Sequence, residues 1–221
     1  MLFCLSSCVE LETTRATQQQ TWVEVYGRYL DSDQLYKLEF TFLRGDTFAI
    51  AKSFALDGNL NVLGQTLEGR KLSEQLIRYQ KDFKGDFNGK ITGRIADEAI
   101  AFKKLDLSFK PVPNFQILGD SLNINLGGSI VFSDSLYLAT GEELLIMVND
   151  EEKQTVSLPI KGPFQVKKLT IPVGYLEQLN KTEQGSLYVI AKKQVTLEEK
   201  NQTLTYLLEH YSVERKVQLL D

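Results

Sequence analysis

The sequence is short of the residues that metal binding and much catalysis depend on. Its two cysteines, Cys4 and Cys8, both fall in the first eight positions, and His210 is its single histidine. A zinc centre needs three or four Cys, His or carboxylate ligands, so no metal and no cofactor is expected. The chain after Cys8 can form no disulfide of its own. No apolar run reaches the roughly 18 residues that a helix needs to cross a bilayer. Basic residues are scattered and the net charge is −4. The basic patch that phosphate neutralisation requires is missing, which argues against nucleic acid as a partner. There is no Gly-x-Ser-x-Gly elbow, Walker loop or dinucleotide fingerprint. Nothing in the sequence favours an enzyme.

What is present is an ordinary globular composition, 43% hydrophobic and 24% charged over 221 residues. That length holds one large domain or two of about 100 residues. From Trp22 the hydrophobic period is two. Tyr36, Leu38, Phe40 and Phe42 alternate with Lys37, Glu39 and Thr41, the pattern of a half-buried antiparallel strand. Short strands separated by turn residues continue to Phe109. Leu67–Tyr79 is open between a short helix and an edge strand, since Gly69 interrupts its helical spacing. Lys110-Pro111-Val112-Pro113-Asn114 is the clearest boundary, because two prolines remove the amide donors that a central strand needs. Beyond it, Leu144–Val148 reads as a central strand, Pro172–Leu179 as one or two helical turns, and Leu204–Leu220 as one long strand. The expected fold is all-β, with two tandem antiparallel sandwiches at 22–110 and 115–221 and short helical turns.

The N-terminus adds a motif. Leu5-Ser6-Ser7-Cys8 follows a short apolar run and precedes a polar stretch, 9–21, that reads as a tether. The four residues resemble the lipobox of bacterial lipoproteins, in which the signal peptide is cut before a cysteine that is then acylated. The leader is short against the apolar stretch of about 7–15 residues in secretory signals, and it has no basic residue before Arg15. An upstream start, or a cytoplasmic N-terminus with an accidental cysteine, are the alternatives. With Glu10 and Glu12 behind the cysteine and paired sandwiches behind the tether, the chain resembles uncharacterised Bacteroidota lipoproteins that carry immunoglobulin-like domains. That resemblance implies lipidation at Cys8, residues 1–8 as a signal remnant, membrane attachment through the lipid at the outer membrane or elsewhere in the cell envelope, and a non-enzymatic role in binding or scaffolding a protein or glycan partner.

Candidate sites are few. Trp22, Tyr26 and Tyr29 are candidates for stacking a ligand, which would suit a glycan-binding accessory protein of an outer-membrane uptake system. Core packing competes with that role. A glycoside hydrolase would need two carboxylates at a set separation, and Glu142, Glu143, Asp150, Glu151 and Glu152 lie in or beside turns. Arg44-Gly45-Asp46 matches an integrin-read tripeptide but reads as a hairpin turn, with glycine supplying a positive φ. Asp57-Gly58-Asn59-Leu60-Asn61 with Glu68 has the oxygen spacing of a calcium loop, yet Val62 stands where that loop needs glycine. His210 reads as a surface or half-buried packing residue. Asp120-Ser121-Leu122 and Asp134-Ser135-Leu136 resemble Bacteroidota O-glycosylation triplets and also make good turn entries.

Overall fold

The structure, a computed structural model, describes residues 19–221. The lipobox-like motif with Cys8, and tether residues 9–18, lie outside the described residues. Among those described there is no α-helix, and the fold is all-β with several sheets. The first half contains β1 (Gln20–Leu30), β2 (Leu35–Gly45), β3 (Lys52–Ser53), β4 (Leu60–Val62), β5 (Gln65–Leu67), β6 (Gly69–Ser73), β7 (Leu76–Lys84), β8 (Lys90–Ile95) and β9 (Lys104–Ser108). The second contains β10 (Phe115–Ile117), β11 (Ser121–Asn123), β12 (Gly128–Leu138), β13 (Glu142–Asn149), β14 (Thr155–Lys161), β15 (Phe164–Ile171), β16 (Thr182–Glu199), β17 (Gln202–Tyr211) and β18 (Arg215–Leu220).

An eleven-stranded sheet runs through both halves in the order β11-β18-β16-β17-β1-β2-β7-β6, with β13 and β14 branching from β16 and β3 from β2. A four-stranded sheet, β5-β4-β8-β9, covers one face of its first half. A three-stranded sheet, β10-β12-β15, covers the same face of its second. Period-two alternation makes this layering possible. Val23 and Val25 of β1 and Tyr36, Leu38, Phe40 and Phe42 of β2 point into the first core, where they meet Leu60, Ile91 and Leu107 of the covering sheet. Gly27 is required by close approach: a Cβ there would stand 2.7 Å from Leu208 Cδ2.

The core changes at the proline segment. Phe109 still belongs to the first cluster, Val112 to the second, and residues 109–114 form no strand. One element crosses that line. Leu204, Tyr206 and Leu208 of β17 are buried in the first core, and β17 pairs in parallel with β1 from Thr21↔Gln202 to Leu30↔Tyr211. The 22–110 segment therefore does not complete its own core. The stretch 204–220 is two strands rather than one, broken at residues 212–214, where the Ser212 amide turns back to the Val189 carbonyl. Leu67–Tyr79 resolves as strands β5, β6 and β7. Pro172–Leu179 forms turns and bends with no regular helix, although Leu176 and Leu179 are buried as its spacing implied.

Candidate functional site

Among the described residues, no layer covers the second face of the large sheet. Its side chains are mostly half-buried: Trp22, Glu24, Tyr26 and Arg28 from β1, Glu39, Thr41 and Leu43 from β2, Thr205, Leu207 and Tyr211 from β17. Cross-strand register lines up a row of charges on this face. Lys37 lies opposite Arg28, Arg28 opposite Glu209, Glu209 opposite Lys192, Lys192 opposite Glu143, and Glu143 opposite Lys161. The row crosses six adjacent strands, β2, β1, β17, β16, β13 and β14, and so bridges the two halves. Opposite charges placed directly across a strand pair are mutually stabilising, which holds for the four pairs from Arg28 to Lys161. Lys37 and Arg28 are like charges, and Lys37 has its opposite charge in Asp82 of β7 on its other side.

Glu209 is the centre of the row and is only 6% exposed. Tyr26 donates its hydroxyl to Glu209 Oε2 at 2.7 Å and Tyr211 donates at 3.0 Å. Lys192 Nζ stands 3.2 Å from Oε1 and Arg28 Nε 3.5 Å from Oε2. The Arg28 guanidinium lies 4.9 Å from the Tyr211 ring centroid and also donates to the Tyr26 hydroxyl. Burial pushes the Glu209 carboxyl up, but the hydrogen bonds from Tyr26, Lys192 and Tyr211 outweigh it, and the net displacement is downward. Burial, reinforced by the Glu209 charge, drives Tyr211 well above the usual tyrosine range, and Tyr26 is raised for the same reasons. Carboxylate and phenols are thus moved away from neutral pH in opposite directions. The cluster holds fixed charge and directed hydrogen bonds, an arrangement suited to recognising polar groups.

A depression of about 270 Å³ adjoins it, lined by Glu24, Tyr26, Glu39, Arg78 and Leu207 among others, with Arg78 and Glu39 paired at 3.1 Å. It falls just below the range of about 300–1,000 Å³ typical of small-ligand pockets.

The three stacking candidates separate. Trp22 and Tyr26 share the open face, both half-buried. Trp22 meets Phe48 edge-on at 5.8 Å, and the Tyr26 hydroxyl is engaged by Glu209 and Arg28. Tyr29 does not belong with them. The odd positions of β1 face inward, so it is 2% exposed, packed on Tyr36, Phe87 and His210.

His210 is likewise interior, at 2% exposure. Its ring stacks on Tyr29 at 5.4 Å and accepts at Nδ1 the Val112 amide hydrogen, 3.4 Å away. The proline segment is thereby fastened to β17 where the two halves meet, beside a cleft of about 370 Å³. Burial lowers the imidazole pKa to about 4. Its face of β17 was readable from the sequence, but its interior position depends on rings from β1 and from residues 87 and 109, which no local pattern announces.

The tripeptide and carboxylate motifs resolve as structure. Gly45 ends β2 opposite Gln20 without a positive φ, and a Cβ on it would meet Ala51 Cα at 2.8 Å. Close approach, not left-handed backbone, selects that glycine, and Arg44 lies over the Phe54 ring. Among the described residues no group of three His, Cys, Asp or Glu side chains could hold a metal ion. Asp150 is buried and accepts the Asn180 and Gln154 amide hydrogens, which hold its carboxyl below the usual range. Glu151 and Glu152 bond to Thr182 and Asn180. These acids tie a turn to its neighbour.

No family model matches the chain, and no curated protein matches it. One solved structure, a tetra-tandem repeat in the extending region of a large adhesion protein, aligns over 88% of this chain and 49% of its own at 10% identity, with a TM-score of 0.22. The chain spans about half of that structure's length, and a likeness at that score carries no functional argument.

Proposed function

We propose that the protein is a non-enzymatic, lipid-anchored module of the bacterial cell envelope, with an immunoglobulin-like sandwich in each half. On this reading it binds or scaffolds a partner on the open face of its large sheet. The observation that carries the binding role is the charge row from Lys37 to Lys161, centred on Glu209 and flanked by tyrosines. It occupies a sheet face that no described residue covers, rather than a loop tip. Its groups from Lys37 to Glu143 are therefore held by backbone paired on both sides, with Lys161 on the edge strand β14. The anchor rests on Leu5-Ser6-Ser7-Cys8 ahead of a polar segment.

Two arms test this. Full-length protein expressed in a bacterial host with an alkyne fatty acid should carry the label, and Cys8→Ser should abolish it. A protein that keeps Met1 and carries no acyl chain would move to the cytoplasm. In pull-downs from envelope fractions, Lys37→Glu with Lys161→Glu should release partners that the parent protein retains. Both lysines are exposed, so the fold should survive. Unchanged capture would remove the sheet face from the binding role.

A glycan partner is the second reading. It is favoured by Tyr26, Tyr188 and Tyr211 standing half-buried on the same face, where rings and directed hydrogen-bond donors occur together.

A further inference from the structure

At one end of the large sheet, apolar side chains stand in solvent. β2 ends at Gly45, and the following 3-10 turn Phe48–Ile50 leaves Phe48 53% and Ile50 63% exposed. The Phe48 ring meets Trp22 edge-on, and Trp22 lies opposite Leu43. On the same side, β3 is fastened to the β6–β7 hairpin: Ser53 Oγ donates to the Gln75 carbonyl and accepts the Ile77 amide hydrogen. Leu72 of that hairpin is 44% exposed. Cationic residues are near in the chain and the sheet. Arg44 pairs with Lys52 across β2 and β3, with its guanidinium over the Phe54 ring. Arg70 and Lys71 precede Leu72 on β6, while Asp46 and Glu74 are the acids of the two turns.

This is also the end at which the N-terminal chain enters the fold. Gln20 pairs with Gly45, three residues before Phe48, and Asn201 Nδ2 donates to the Gln19 carbonyl. Residues 9–19 alone separate Cys8 from the first strand. We propose that the Trp22–Phe48–Ile50 surface, with Leu72 and the lysines and arginines around it, docks onto the lipid bilayer that carries the anchor. Aromatic rings suit the headgroup boundary, where one edge is apolar and the other wet. Aliphatic Ile50 and Leu72 reach the acyl region, and the cations meet anionic headgroups. The docking rests on the lipoprotein reading for its geometry, and it goes beyond that reading by orienting the folded body on the membrane.

Trp22 is the only tryptophan, so its emission reports on this surface alone. Full-length protein, with the acyl chains on Cys8 established by intact mass, is reconstituted into phosphatidylethanolamine–phosphatidylglycerol vesicles with plain or brominated acyl chains. Emission should fall in the brominated vesicles. In Phe48→Ser with Ile50→Ser, two exposed positions, that loss should disappear while the acyl mass is unchanged. Acylated protein with equal emission in both vesicles would overturn the docking and leave the anchor standing. So would quenching that survives the double substitution, or a double substitution that instead turns a dimer into a monomer. If no acyl chain is found, the anchor reading fails separately. The unacylated protein added to the same vesicles then decides the docking, with bromine quenching in favour and its absence against.

Discussion

Protonating His210 should loosen the junction of the two halves, and the size of the effect follows from its surroundings. The imidazole is 2% exposed among Tyr29, Phe87 and Phe109, and it accepts the Val112 amide hydrogen. Burial lowers its pKa from 6.5 to about 4 in the folded protein. Between those values the unfolded chain binds more protons than the folded one, so stability rises with pH through that window and is lost as pH falls. The full difference is worth about 3 kcal/mol, and about 2 kcal/mol of it should be lost between roughly pH 7.5 and pH 5. Glu209 and Asp150 also lose stabilising interactions in acid, because their folded values are lowered. Their losses set in from about pH 5 downward, as pH falls through the ordinary carboxyl values. Glu24, raised by burial, acts in the opposite direction, so the comparison with a histidine-free variant is what assigns the interval above about pH 5 to His210. Urea unfolding followed by Trp22 fluorescence at several pH values, on the parent protein and His210→Gln, isolates the effect. The parent should lose stability across the interval and the variant should stay nearly level. Because His210 is the only histidine, its ring proton resonances are unambiguous in NMR. A midpoint near 6.5, or parallel pH slopes for the two proteins, would refute the reasoning.

Leu208→Ala should cost about 2–5 kcal/mol in denaturant unfolding, since Leu208 is fully buried against the face that also holds Gly27. A fragment ending at residue 110 lacks that side chain together with Leu204 and Tyr206, and circular dichroism with proteolysis should find it unfolded. Glu209→Ala leaves Arg28 and Lys192 side by side and removes the acceptor of two tyrosines. Its cost should be about 1–3 kcal/mol, because both cations keep access to water. Gly27→Ala pushes a methyl group against Leu208 and should lose about 1–3 kcal/mol by the same unfolding assay.

Strand character was largely legible in the sequence, because it resides in neighbouring residues: Tyr36, Leu38, Phe40 and Phe42 announce their buried face by alternation alone. The proline segment announced itself as well, since missing amides are a local property. Long-range partners were not legible. Nothing within 202–211 says that this strand lies against β1, because alternation specifies which residues face inward and not which strand lies alongside. The same holds for the candidate site. Tyr26 and Arg28 can be read as one face of β1, but the cluster exists only once Glu209 and Lys192 arrive from strands more than a hundred residues away. Tyr29 was misplaced by grouping it with Trp22 and Tyr26, although a period of two puts it on the opposite face.

The exchange of β17 between halves also bears on how the chain is made. Synthesis delivers β1 and β2 well before the strand that pairs with the free edge of β1. Until Gln202–Tyr211 emerges, the first half has an unpaired edge and a core missing three of its side chains. Exposed edges and long-range pairing make slow, aggregation-prone intermediates. The first half thus completes its core together with the second half rather than before it.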